Sequence, residues 1–269
     1  MKRNKTSLQP KRNNVGNASS SGRRVREKFV VEDGEGNDQY ASAMPRFDAK
    51  NANQKLAISY LREGRQVVSL QGSPGTGKSM IAAYWAALQL KSKKIDQIIL
   101  LRPNVLNGNT IGLLSGNEAE KLAPFFVQLV EHLKKFLGAG HYQYCVEKGV
   151  IVTRAFEYIR GQSFERAIVI ADEVQGLNFE EFETLLTRVG EDSQLIMTGD
   201  SRQVNRGFIS GMDSTFKMLE EAVVNAPRFL DEDDLDVLED AVGIVRFTPD
   251  DILRSGFVKA ITKLYYFNN

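Results

Sequence analysis

The sequence predicts a three-layer α/β/α fold built on a mainly parallel sheet. Three observations predict it. Six short runs are rich in Val, Ile and Leu; helical stretches alternate with them from about Val67 onward; and a glycine-rich segment, Gly72-Ser73-Pro74-Gly75-Thr76-Gly77-Lys78-Ser79, lies between the first run and the first helix. Short, continuously apolar strands suit a sheet covered on both faces. Alternation with helices calls for parallel strands joined by right-handed crossovers.

Strands are expected at Val67–Gln71, Gln97–Leu101, Val150–Arg154, Ala167–Ala171, Gln194–Thr198 and Gly243–Phe247. Helices are expected near 78–91, 119–136, 179–188, 212–224 and 249–265. Phe156–Phe164 is a polar stretch separating two strands. Asp231 to Asp240 has seven acids in ten positions. It reads as a solvated loop or helix face, or else as a docking site for a partner or a basic segment.

Ahead of these elements, residues 1 to 26 carry eight Lys or Arg and no acid, which leaves about −7 on the rest of a chain of net charge +1. The segment is rich in Asn, Ser and Gly and has almost no large apolar residues, so it cannot offset the entropy of ordering. Residues 1–44 are expected to be a flexible basic tail and 45–269 one folded domain. Such an arm either binds nucleic acid through phosphate charge or is simply solvated.

Among the 269 residues Cys145 is the only cysteine. That excludes a disulfide scaffold and points to a reducing compartment. No apolar run approaches the ~18 residues of a membrane span, and no apolar signal region opens the chain. A soluble, cytoplasmic protein with no membrane partner is expected. His132 and His141 are too few, and Cys145 too isolated, to suggest a metal centre of the His/Cys kind.

Residues 72–79 match G-x-x-x-x-G-K-[ST] in full. Glycines let successive backbone N–H groups point at phosphate oxygens, and the following helix adds its positive dipole end. The nucleotide-binding set is Gly72, Ser73, Pro74, Gly75, Thr76, Gly77, Lys78 and Ser79, with Met80 opening the helical run Met80–Leu90. Lys78 is expected to reach the β and γ phosphates of ATP, and the Ser79 hydroxyl to ligate Mg²⁺. An apolar strand before the loop and a helix after it are the context this motif requires. Further along, Ala167–Ala171 ends in Asp172-Glu173, the pattern of a Walker B element, in a fold class where ligands bind outside the carboxyl ends of strands. Asp172 is expected to hold Mg²⁺ directly or through water. Glu173 is expected to position or deprotonate the attacking water. Gln194–Thr198 runs into Gly199-Asp200-Ser201-Arg202-Gln203. Either Gln203 bonds the γ-phosphate or the attacking water, or Gly199-Asp200 is simply a turn. Together these features specify a P-loop NTPase (RecA-like) domain.

With Asp172-Glu173-Val174-Gln175 and Gly199-Asp200-Ser201-Arg202-Gln203 both in place, the chain resembles the PhoH family, P-loop ATPases related to the first motor domain of superfamily 1 helicases. The resemblance runs from about Phe47 to Phe267 and includes, in order, Asn53-Gln54, Arg102-Pro103, Gly112-Leu113-Leu114, Arg160-Gly161-Gln162-Ser163-Phe164, Leu186-Thr187-Arg188-Val189-Gly190 and Asp251-Ile252-Leu253-Arg254-Ser255. It implies that Gln54 recognises adenine, that Asp172 and Glu173 are the metal acid and catalytic acid, and that Gln203 senses the γ-phosphate. Gly176 and Asn205 depart from the family pattern, standing where asparagine and aspartate are common.

The expected function is hydrolysis of Mg-ATP coupled to RNA or single-stranded nucleic acid, in a helicase-like manner. The alternative is a nucleotide-controlled oligomeric binding protein with little turnover. A small-molecule kinase is disfavoured, because no arginine-bearing lid is evident and Asp172-Glu173-x-Gln175 points to hydrolysis. One motor domain needs a neighbour to complete its site. A homo-oligomer, a hexameric ring as the resemblance implies, is therefore expected, with Arg160, Arg188 or Arg254 acting in trans on the γ-phosphate.

Overall fold

The structure is a computed structural model that describes residues 44–103, 122–200 and 215–267. Six strands form one sheet: β1 (Val67–Gly72), β2 (Gln97–Arg102), β3 (Ile151–Ala155), β4 (Ala167–Ala171), β5 (Gln194–Gly199) and β6 (Val242–Phe247), in the order β3-β2-β4-β5-β1-β6. Every pairing is parallel. Each expected strand is present to within a residue or so at its ends. β1, which carries the phosphate loop, is flanked by β5 on one side and β6 on the other, with Gln71 opposite Gly199 and Gly72 opposite Phe247.

Side chains alternate across the strands and divide the core in two. In β4, Ile168 and Ile170 face one cluster, built with Leu61, Trp85 and Leu133 from the helices. Ala167, Val169 and Ala171 face the other, with Phe182, Leu185 and Phe216. The first face is covered by α1 (Ala52–Arg62), α2 (Lys78–Lys91), α3 (Val127–Leu137) and α4 (Ala139–Glu147), the second by α5 (Phe179–Thr187) and α6 (Thr215–Asn225). This is the predicted three-layer α/β/α arrangement. A polar pair is sealed inside it: Trp85 Nε1 donates to Gln194 Oε1 at 2.7 Å, and Gln194 Nε2 donates to the carbonyls of Leu61 and Arg65. Every polar atom of that buried amide is satisfied, as burial demands.

The acidic run is the expected solvated helix face: it forms α7 (Glu232–Ala241), capped by the Asp231 side chain and burying none of its residues. Other elements differ from expectation. Gly138, with φ of 86°, ends α3, and α4 follows as a separate helix that periodicity alone did not mark. The helix expected over 249–265 begins only at Gly256, as α8 (Gly256–Phe267). Pro249–Asp251 is instead a tight 3-10 turn, because Asp251 reaches back to cap the Thr248 backbone N–H and Ile252 is extended. The tail lies, apart from Met44, outside the described residues, as does Gln203.

Candidate functional site

The phosphate loop connects β1 to α2 at the carboxyl edge of the sheet. Gly77 is the N-cap of α2 with φ of 96°, a left-handed conformation that glycine adopts at little cost, and no side chain caps the helix. A Cβ there would lie 2.7 Å from Gln54 Nε2. That contact belongs to a second device. Gln54 is 1% exposed, donates to the Thr76 carbonyl at 2.8 Å, and accepts from the Lys50 backbone N–H at 2.8 Å. Its amide thus ties α1 to the loop. Within the loop, the Thr76 hydroxyl donates to the Ser73 carbonyl.

Lys78 is 9% exposed, and its Nζ donates to the carbonyls of Gly72 at 2.6 Å and Ser73 at 2.8 Å. Burial pushes its ammonium down to about 8, opposed by the charges of Asp200, Glu173 and Asp172. Three carboxylates from the ends of β4 and β5 therefore face the loop lysine. Asp172 is held in turn: the Thr198 hydroxyl donates to Oδ1, and Arg102 Nη1 lies 3.3 Å from Oδ2. Arg102 also donates to the Phe125 carbonyl and sits over the Phe125 ring. Glu173 adopts a left-handed backbone, φ 58°, which is costly for a non-glycine residue and typical of constrained functional positions. Gln175 Nε2 donates to Glu173 Oε2, while Gln175 Oε1 is buried without a hydrogen-bond partner among the described residues.

These groups line one cleft of about 600 Å³, which contains the loop glycines, Pro74, Lys78, Ser79, Met80, Gln54, Asp172, Glu173 and Arg254. The predicted residues inside the described segments thus converge, with four exceptions: Ser73 and Thr76, both fully buried, do not line the cleft, and neither do two of the arginines. Arg188 stands half-buried at the end of α5, its Nε buried without a hydrogen-bond partner among the described residues, and Arg160 is exposed after the turn that follows β3; neither lines the cleft. Arg254 lies against the chain's own phosphate loop: its Nε is 2.9 Å from the position a Cβ would take at Gly75. Sequence reasoning missed Arg102 and Thr198 as groups that hold Asp172. Their signal was positional, since each sits at or next to the end of a strand flanking β4.

The donor set fits a nucleotide with a hard divalent cation. Backbone amides at an uncapped helix start, a buried ammonium and a glycine cradle suit phosphate. Among the described residues no group of three His, Cys, Asp or Glu is placed to hold a metal. Ser79 and Asp172 line the same cleft, and a divalent cation held by that hydroxyl and carboxylate would need its remaining ligands from phosphate and water, the habit of Mg²⁺.

Residues 46–266 match the family of PhoH-like proteins. The chain is 34% identical over 220 residues to Protein PhoH of Escherichia coli K12, covering 80% of this chain and 57% of that protein. It is 34% identical over 172 residues to a PhoH-like protein of Bacillus subtilis, covering 63% of this chain and 54% of that one. The chain thus spans little more than half the length of these relatives. Among solved structures, the large terminase of a thermophilic bacteriophage aligns over 79% of this chain and 49% of its own at 14% identity, with a TM-score of 0.47. Among the described residues no helix is long and apolar enough to cross a membrane.

Proposed function

The chain belongs to the PhoH family, and from that premise we propose that it is an Mg²⁺-dependent ATPase that couples hydrolysis to RNA or single-stranded nucleic acid. One observation carries the reading. The phosphate loop at the end of β1 faces Asp172 and Glu173 at the end of β4, and those carboxylates with Asp200 are the charges that support the buried Lys78 ammonium. When bound, Mg²⁺ neutralises charge on the β and γ phosphates. Ser79 and Asp172 hold it, and Arg102 and Thr198 orient Asp172. Lys78 exchanges its two loop carbonyls for phosphate oxygens. Gln175 fixes Glu173 through Oε2, and Oε1 takes the proton of the attacking water. Gln54 and the loop residues Ser73 to Thr76 hold the nucleotide, and Gln203 senses its γ-phosphate. A homo-oligomer, in ring form a hexamer, supplies Arg188 or Arg160 of a neighbour as the cation for charge developing on that phosphate. The basic arm supplies contacts to the nucleic-acid backbone.

The hydrogen bond from Gln175 to Glu173 favours a second reading: an oligomeric protein that binds ATP and a partner with little turnover, its acid kept engaged. One experiment separates the two. Hydrolysis of ATP is measured with and without RNA, single-stranded DNA and duplex DNA, alongside the mass in solution. The ATPase reading expects turnover that rises several-fold with RNA or single-stranded DNA and that increases per subunit with protein concentration. Tight ATP binding with no turnover under any of these conditions establishes the second reading instead.

A further inference from the structure

A triphosphate lying in the loop has a fixed direction. Its γ end must face the acids on β4 and β5, so its ribose and base must leave toward the other neighbour of β1, the β6 side. On that side the segment after β6 is fastened to the loop. The Leu253 backbone N–H donates to the Gly75 carbonyl at 3.1 Å, and the Arg254 side chain lies over Gly75, with Nε, Cδ and Cγ at 2.9, 3.0 and 3.2 Å from a Cβ placed there. Gly75 has φ of 83°, so only glycine serves both the turn and the close approach. The segment is braced from behind. Asp251, 8% exposed, accepts from Asn53 Nδ2 at 2.8 Å and from the Thr248 backbone N–H at 2.9 Å, and Asn51 Nδ2 donates to the Asp251 carbonyl. Leu253, by contrast, is 53% exposed, and it and Arg254 line the same cleft as the loop. A braced backbone thus presents an exposed apolar side chain and a planar cation beside the phosphate site.

We propose that Leu253 and Arg254 form the wall of the subsite for the nucleobase and ribose of a nucleotide held in the same subunit. The proposal rests on the nucleotide-binding reading above and gives Arg254 a role in cis, in place of the trans role expected for it. The guanidinium plane stacks on the base, an interaction that is indifferent to the phosphates. Arg254 acts on affinity and not on the chemical step.

The test uses the full-length protein and two probes, Mg-ATP and Mg-tripolyphosphate, which share phosphates and differ by the nucleoside. For Arg254→Ala the expected result is an ATP Kd and KM raised about tenfold, the range of losses when one stacking side chain is removed. The tripolyphosphate Kd should move by less than about twofold, kcat should be unchanged within about twofold, and the melting temperature without nucleotide should be unaltered. Leu253→Ala should weaken ATP in the same selective way, to a smaller degree. Equal weakening of both probes would assign Arg254 to the phosphates and overturn the subsite. So would a lower kcat at unchanged KM that is restored by mixing with Glu173→Gln protein, the signature of an arginine serving a neighbour. If wild-type protein binds ATP and Arg254→Ala binds it equally well, the subsite alone fails. If wild-type protein binds neither probe, the nucleotide-binding reading fails first and takes the subsite with it.

Discussion

On the β5 side of the phosphate loop, Asp172, Glu173 and Asp200 stand at or just beyond strand ends; Thr198 and Arg102 hold Asp172, and Gln175 holds Glu173. On the β6 side, the first turn of α1 and the turn after β6 are joined by Asn53 and Asp251, and Gln54 and Leu253 tie that pair to the loop. The first flank concentrates negative charge around a buried lysine. The second is braced by amide, carbonyl and hydroxyl groups, its one buried carboxylate is consumed by structural hydrogen bonds, and the charge it presents beside the loop is the Arg254 cation. Opposite electrostatics on two sides of one loop teach that the two flanks serve different steps. On the proposed reading, charge and strain at Glu173 serve bond breaking, whereas the hydrogen-bonded brace serves to hold the ligand.

Mutating one side at a time breaks that comparison most directly. The largest effect is expected on the β5 side. Glu173→Gln keeps the shape and the hydrogen-bonding capacity while removing the base and its charge, so turnover should fall about 10²-fold or more. ATP affinity should hold or improve, because one negative charge near the phosphates is gone. Steady-state hydrolysis together with a nucleotide-binding titration reads both. Wild-type turnover in this variant would remove Glu173 from the chemistry and leave the two flanks without distinct roles.

A smaller loss is expected from the brace. Asp251→Ala leaves the Thr248 backbone N–H and the Asn53 amide without their acceptor in a largely buried place, worth about 2 kcal/mol of folding stability. The denaturant midpoint should drop accordingly. ATP should bind more weakly, because Leu253 and Arg254 lose their support, while kcat of the saturated enzyme stays near wild type. A variant as stable as wild type, or one that loses kcat and keeps its affinity, would contradict a bracing role.

The two flanks also differ in how far the sequence discloses them. The β5 side is written in contiguous runs: a glycine-rich loop between strand and helix, and two acids at the end of an apolar run. The four inner strands β1, β2, β4 and β5 are legible for the same reason, since continuous apolar runs mark strands buried on both faces, whereas the edge strands β3 and β6 are only partly buried. The brace is invisible by comparison. It joins Asn53 to Asp251, residues 198 apart, through side chains that also suit any surface turn. The same carboxylate explains why a helix expected from 249 starts at Gly256, because hydrophobic periodicity does not report a carboxyl group folding back on the preceding turn. Arg254 illustrates the cost. Its sequence context marks it as functional, but only the parallel pairing of β6 with β1 places it beside its own loop.

The smallest effect sharpens the comparison through pH. Burial lowers the Lys78 ammonium to about 8 from its usual 10.5, and it is the charges of Asp200, Glu173 and Asp172 that keep it from falling further. A lowered lysine means that the nucleotide-free fold binds fewer protons than the unfolded chain between those values. Its stability should therefore rise as pH climbs from about 8 toward 10.5, and the cost of burying the charge should be fully present below 8. Nucleotide binding has the opposite sign. Phosphate favours the charged lysine, so the bound form keeps its proton to higher pH, and binding takes up as much as one proton in that window. ATP affinity should be flat below about pH 8 and then fall, approaching tenfold per unit, until the bound form also titrates. Titrations from about pH 7 to 9.5 in buffers of different ionisation enthalpy read both the slope and the proton uptake. Lys78→Arg, which keeps its charge throughout, should bind with no such slope, and Arg254→Ala should keep the wild-type slope at a weaker absolute affinity. If Arg254→Ala abolished the slope and Lys78→Arg retained it, the titrating charge would lie on the β6 side, and the assignment of phosphate to one flank and base to the other would be reversed.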